Sequence, residues 1–167
     1  MPTYTNLILK AATTEQDQQQ SMQVRIVVFV DEQKYPLYTE VDDEYNDKSD
    51  VWIALCDRTM DDGKVEQGVP VGTVRLISVS EKVGKLGRLA VISDARGLSL
   101  GKKLVQLVVR DAGTRGMESI IIHAQYDKQG FYEKLGFTVE KGDEETFLED
   151  GTPHIRMWHR NVGKSKN

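Results

Sequence analysis

The sequence predicts an α/β fold of the mixed α+β kind, a central mixed β-sheet flanked by helices. Three observations predict it. Strand candidates cluster between residues 51 and 92, a strand–helix–strand unit follows over residues 85–124, and the order is not a repeated βαβ pattern. Tyr4 to Ala12 is a short apolar segment and reads as a first strand. Thr13, Thr14 and Glu15 cap and start a helix, whose apolar residues Met22, Ile26, Phe29 and Val30 recur near spacings of four and three as far as Gln33. Pro36 ends it, and a polar, acidic loop runs from Tyr35 to Ser49. Val51–Asp57, Val69–Ser78 and Lys85–Ile92 read as strands, the first two joined at Asp61-Asp62-Gly63. Ser99 to about Arg115 reads as an amphipathic helix with Leu100, Leu104, Leu107 and Val108 on one face. Ser119 to Ala124 reads as a buried strand, Lys128 to Leu135 as a short helix stopped by Gly136, and Phe137–Glu140 and Pro153–Arg160 as closing strands.

At 167 residues the chain fits one domain, expected over residues 1–160 and followed by a polar tail over 161–167. The hydrophobic set is 39% and the charged set 29%, a globular composition that argues against disorder. A net charge of −4 argues against general nucleic-acid binding, which needs many cations on phosphates. Residues 40–50 and 140–150 each carry −5, so the rest of the chain carries +6. Such a field suits separate sites for an anion and a cation, and equally two solvated acidic loops. Cys56 is the lone cysteine, in a strand-like setting that suits a buried apolar role and a reducing compartment. The sequence shows no membrane span and no secretory leader, so the expectation is a cytoplasmic protein without a membrane partner.

The chemistry concentrates in Arg88-Leu89-Ala90-Val91-Ile92-Ser93-Asp94-Ala95-Arg96-Gly97-Leu98-Ser99-Leu100-Gly101-Lys102-Lys103-Leu104. A strand enters a turn that opens a helix. The first amides of a helix lack internal partners, and the helix dipole adds partial positive charge there. Together they form an anion site suited to a pyrophosphate. Gly97 and Gly101 allow close approach to the backbone, while Arg96, Lys102 and Lys103 add charge. An ordinary strand-to-helix turn with glycines accounts for the same residues. A nucleoside-triphosphate P-loop does not, since no Gly-Lys-Ser/Thr ending is present.

This segment resembles the central motif of the GCN5-related N-acetyltransferase (GNAT) family, Arg/Gln-x-x-Gly-x-Gly/Ala after a Leu-x-Val strand. Arg96, Ser99 and Gly101 fall on its fixed positions, with Ser99 in place of the first motif glycine. A negative φ there accommodates serine; a positive φ strains the loop. Gly130-Phe131-Tyr132-Glu133-Lys134-Leu135-Gly136-Phe137 resembles the family's second signature, and His123-Ala124-Gln125 continues the likeness. Arg25-Ile26-Val27-Val28-Phe29-Val30-Asp31-Glu32-Gln33 with Pro36, and Glu149-Asp150-Gly151-Thr152-Pro153-His154-Ile155-Arg156-Met157, are similar to the small ElaA-like branch, whose acceptors are poorly defined.

The resemblance implies an acyltransferase that moves acetyl from acetyl-CoA to a primary amine by direct attack in a ternary complex. It places the pantetheine arm on the backbone of Leu89, Ala90 and Val91, and the pyrophosphate over Arg96, Gly97, Leu98, Ser99, Leu100, Gly101 and Lys102. Gln125 and Tyr132 complete the cofactor side, with Tyr132 as general acid to the departing thiolate. Glu32 is the first candidate for the base, then His123, His154 or an ordered water; a carboxylate pairing with Arg25 accounts for Glu32 as well. Arg25, Glu32, Gln33, His123 and His154 are the candidates on the acceptor side. The acceptor is a small-molecule amine, either cationic, drawn by the acidic 40–50 loop, or an amino sugar such as glucosamine 6-phosphate, held by Arg25 or Arg75. No metal site is expected, and the resemblance allows a homodimer. The other reading is a protein that senses coenzyme A or docks a partner without turnover.

Overall fold

A computed structural model describes residues 1–164. The strands are β1 (Thr3–Ala11), β2 (Asp50–Thr59), β3 (Val65–Ser78), β4 (Val83–Val91), β5 (Ser119–Gln125), β6 (Phe147–Glu149) and β7 (Thr152–Arg160). The helices are α1 (Glu15–Arg25), α2 (Tyr38–Val41), α3 (Leu100–Thr114) and α4 (Gln129–Glu133). The strands form a seven-stranded mixed sheet in the order β1-β2-β3-β4-β5-β7-β6. The chain divides into two compact units. The first holds Met1–Arg75 and Arg88–Leu104, the second Leu76–Gly87 and the chain from Val105 on.

In the first unit, β1 pairs antiparallel with β2, and Ala12, Val51 and Ile53 form a small core. Thr14 caps α1: its Oγ1 accepts from the Asp17 amide at 3.1 Å, and the Asp17 carboxylate accepts from the Thr14 amide at 3.2 Å. The helix does not continue to Gln33 in α form. From Ile26 to Glu32 it widens into a π-helical turn, with the Gln33 amide donating to the Val28 carbonyl five residues back. The β-branched run Ile26-Val27-Val28, with Val30, fits the tight α spiral poorly. The wider turn delivers Val28 and Phe29 to a core with Val24 and Ala90, against which Ile92 and Tyr35 pack. Helix α2 lies inside the stretch expected to be loop.

In the second unit, β5 pairs parallel with β4 from Val83↔Ser119 to Leu86↔Ile122, and antiparallel with β7 along its length. Ile120, Ile122, Ile155 and Met157 are buried on one face of this ladder. The expected strand Phe137–Glu140 is reduced to a single bridge, Thr138↔Trp158. Glu140 is bound by the Arg160 guanidinium, and the chain turns at Gly142. The edge strand is β6 instead, joined to β7 by Asp150-Gly151, both at positive φ, the conformation of a two-residue type I′ hairpin. The expected tail is not all tail: Val162–Lys164 form a 3-10 turn, with Val162 fully buried and its amide on the Glu118 carbonyl. Residues 165–167 of that tail lie outside the described residues. Among the described residues, no helix is long and apolar enough to cross a membrane.

Candidate active site

The strand-to-helix turn lies in the first unit. Strand β4 ends at Val91, and Ser93–Ala95 make a 3-10 turn anchored by the fully buried Ala95. Gly97 (φ 92°) and Ser99 (φ 59°) are both left-handed, and α3 starts at the buried Leu100. The Lys103 amide reaches the Ser99 carbonyl at 3.0 Å, so the amides just before it open the helix. A Cβ built on Gly97 meets nothing within 4 Å, which leaves the backbone there open to a ligand. Leu98 and Lys102 are exposed, and Gly101 is half-buried. Ser99 therefore meets the strained alternative: a serine holds a backbone conformation that costs an L-residue about 1–2 kcal/mol.

Arg96 does not extend over this turn. Its Nε donates to the Val91 carbonyl at 3.1 Å, and its Nη1 and Nη2 donate to the two carboxylate oxygens of Glu32 at 2.6 and 2.8 Å. Glu32 is thus on Arg96 and not on Arg25. In β4, Ala90 faces the core of Val24, Val28 and Phe29, while Leu89 and Val91 are half-buried. Gln33 closes the π-helical turn, and Lys34 at φ 68° leads the chain away from it.

Arg25, an expected acceptor-side residue, is buried and committed. Its Nε donates to Glu40 at 2.9 Å, Nη1 to Asn46 at 2.9 Å and Nη2 to the Glu40 carbonyl at 3.2 Å. Arg88 shares Glu40 and also donates to Asp43 at 2.8 Å, and Arg75 holds Asp43 through both terminal nitrogens. Burial pulls the Arg25 and Arg75 guanidiniums below their ordinary values, against the pull of Glu40 and Asp43. Burial also opposes ionisation of Asp43, but its bonds from Arg75 and the Tyr45 amide win and hold its carboxyl below the usual range. Two carboxylates of the acidic 40–50 loop are therefore neutralised internally, and neither Arg25 nor Arg75 offers a free guanidinium for a sugar phosphate.

The second unit carries the other candidates. Tyr132 is almost fully buried in α4, its ring edge-on to Phe131 at 5.0 Å and to Phe137 at 5.8 Å. Burial pushes its phenol above the ordinary value, so it stays protonated. Gly136 (φ 96°) closes that helix under His159; a Cβ there lies 2.8 Å from the imidazole Nε2. At the far end of β5, His123 Nδ1 lies 3.2 Å from Glu149 Oε1, and His154 Nε2 lies 3.6 Å from Glu149 Oε2. His154 is buried, with Nδ1 on the Thr152 carbonyl at 2.7 Å. Gln125 stands opposite His154 in the ladder. The two candidate histidines thus converge on Glu149, which the sequence places in the acidic 140–150 stretch but does not single out as a site residue. The Asp-Gly hairpin signal beside it was the available clue. Among the described residues, no group of three or more His, Cys, Asp or Glu side chains is placed to hold a metal.

A model of the acetyltransferase (GNAT) family matches residues 14–137, which spans the turn and the Tyr132 segment together. The chain belongs to the GNAT family. It is 35% identical over 149 residues to a Bacillus subtilis (strain 168) protein that bears an inferred acetyltransferase name, covering 89% of this chain and 93% of that one. It is 30% identical over 146 residues to the Bacillus subtilis uncharacterized N-acetyltransferase YjcF, covering 87% and 94%. An acyl-CoA N-acyltransferase structure from Pseudomonas aeruginosa superposes with a TM-score of 0.70 at 28% identity, over 94% of this chain and 99% of that chain. Escherichia coli ElaA shares the fold, with a TM-score of 0.72 at 21% identity over 93% and 100%. This GNAT chain is an acyl-CoA-dependent acyltransferase.

Proposed function

We propose that this GNAT chain transfers acetyl from acetyl-CoA to the primary amine of a small molecule, by direct attack of the amine on the thioester. The observation that carries the reading is the turn at Gly97, open to a ligand and left-handed at residues 97 and 99, at the head of α3. Its amides, with Gly101 and Lys102, hold the diphosphate, and Arg96 joins them once Glu32 releases it. The backbone of Leu89, Ala90 and Val91 takes the pantetheine arm as an added strand and polarises the thioester carbonyl. Tyr132, kept neutral by burial, protonates the departing thiolate.

The acceptor is an amine without a phosphate, since Arg25 and Arg75 are bound by Glu40 and Asp43. Exposed Asp42, Glu44 and Asp47 remain to favour a cationic one.

The test is an amine screen with acetyl-CoA that reads free thiol, run on wild type and Arg96→Ala. Thiol release with at least one amine is expected, together with coenzyme A binding weakened by about tenfold in the variant. Binding of coenzyme A without thiol release from any amine would establish a sensor instead, and no binding at all would end the reading.

A further inference from the structure

We propose that His123 is the base that takes the proton from the acceptor ammonium, and that Glu149 is the residue that positions it. The proposal rests on the acetyl-transfer reading above. Its ground is the convergence of His123, Glu149 and His154 at one end of the β5–β7 ladder.

The hairpin fixes the geometry. With Asp150 and Gly151 in a two-residue turn, Glu149 and Thr152 stand opposite each other, and Phe147 opposite His154. His154 Nδ1 faces a carbonyl, which only accepts, so that nitrogen carries the proton. Its ring stacks on Phe147 at 6.2 Å, and Phe147 meets His123 edge-on at 4.9 Å. Glu149 is held between the two imidazoles. The bond from His123 keeps its carboxyl below the ordinary value, with burial opposing and His154 and Lys85 adding to the effect. An ionised carboxylate only accepts, so Nδ1 of His123 is the donor to Glu149 and Nε2 is the nitrogen left to exchange a proton with the acceptor. A carboxylate that fixes the tautomer of a base and compensates its charge is the arrangement general-base chemistry requires. The charged groups that face His123 are Glu149 from β6 and Arg156 from β7, the latter directly across from it, and His154 from β7 and Lys85 from β4 act in turn on Glu149. Glu32 offers no comparable arrangement, since both its oxygens are on Arg96.

The step balances as follows. One proton moves from the ammonium to His123 Nε2. The freed amine forms the N–C bond at the thioester carbonyl, and the C–S bond breaks. Tyr132 gives its proton to the thiolate, the second nitrogen proton restores the phenol through water, and the proton on His123 leaves to solvent.

Two measurements test this. Nitrogen-15 NMR of the full chain, with no acceptor present, should find His123 protonated on Nδ1 at neutral pH. In Glu149→Leu the proton should redistribute toward Nε2. A wild-type His123 carrying its proton on Nε2 would overturn the proposal. With an amine from the screen, His123→Gln should lower kcat by on the order of 10²-fold. Glu149→Leu should lower it by at least about tenfold, and Glu149→Gln by less, with the KM for acetyl-CoA unchanged. Both losses should shrink as pH rises and the acceptor sheds its proton unaided; a loss equal at every pH marks a merely structural role and sinks the proposal. If wild type transfers to no amine, the acetyl-transfer reading falls and this base with it. If wild type turns over and His123→Gln is as fast, the reading stands and the base assignment alone falls.

Discussion

Glu32 and Arg96 form a two-pronged ion pair, with both carboxylate oxygens on both terminal guanidinium nitrogens at 2.6 and 2.8 Å. It joins the end of the π-helical turn to the start of the turn before α3 within one unit. Side-chain exposures of 39% and 44% put it near the surface, where such a pair contributes about 0–1 kcal/mol. It is weak enough for a coenzyme A diphosphate to take the guanidinium over. Glu32→Gln should therefore tighten coenzyme A by up to about fivefold, the equivalent of 1 kcal/mol, in calorimetry. The same variant should keep kcat within about threefold, because a glutamine cannot act as a base and none is required at this position. A loss of 10²-fold would return Glu32 to the role of base.

Ser99 stands at φ 59°. A left-handed L-residue costs about 1–2 kcal/mol, whereas glycine loses about 0.5–1 kcal/mol more conformational freedom on folding. The first effect is the larger. Ser99→Gly should stabilise the chain by about 0.5–1 kcal/mol and raise Tm by roughly 2 °C. Under the proposed role of the turn, coenzyme A binding should hold or improve, because the backbone amides stay in place. A lower Tm in differential scanning calorimetry would show that the Ser99 side chain contributes contacts worth more than the strain.

The sheet and the strand-to-helix turn were legible because each rests on a local signal. Short apolar runs mark β2 to β5, and the glycine-punctuated segment from Ala95 to Lys103 marks the turn. The π-helical turn was not legible, since Ile26 to Val30 carries the same apolar spacing in either spiral, and only packing of Val28 and Phe29 decides between them. Nor was the fate of the charged residues. Arg25 meets Glu40, Arg75 meets Asp43, and Arg96 meets Glu32 across 15, 32 and 64 positions, and sequence patterns give no distance at such separations. The shift of the edge strand from Phe137–Glu140 to Phe147–Glu149 has the same origin. Arg160 captures Glu140 from β7, and the Asp-Gly hairpin claims the pairing edge. Glu149 was not singled out as a site residue because that needed both histidines located first.

Tyr132 gives a pH signature. Burial raises its phenol above the unfolded value near 10. Above that value the unfolded chain sheds the proton while the folded chain keeps it, so the unfolded state binds fewer protons and stability falls as pH rises. The contribution is complete below about pH 10 and is lost as pH climbs toward the folded value. Tyr132→Phe should remove this alkaline component from denaturant melts between about pH 9.5 and 11. At neutral pH the same variant should lower kcat by about 10²-fold with coenzyme A affinity unchanged. An equal rate would take Tyr132 out of the mechanism.

Glu40 is the hinge of the arginine network. It is almost wholly buried and accepts from Arg25 at 2.9 Å and from Arg88 at 3.1 Å through one oxygen. Removing it strips the buried Arg25 of its carboxylate, while Arg88 keeps Asp43, and a buried charge stripped of its partner costs about 3–5 kcal/mol. Glu40→Ala should therefore lower Tm by roughly 10 °C, against a change of less than about 2 °C for the exposed Glu44→Ala. Asp43 adds an acid limb. Its lowered carboxyl contributes stability that is complete above the unfolded value near 4 and is lost as pH falls through the folded one. Asp43→Asn should flatten that limb in melts taken between pH 5 and about 2. Equal Tm losses for the Glu40 and Glu44 variants would show that Arg25 does not depend on the Glu40 carboxylate, and that the network does not hold the loop from Tyr38 to Asn46.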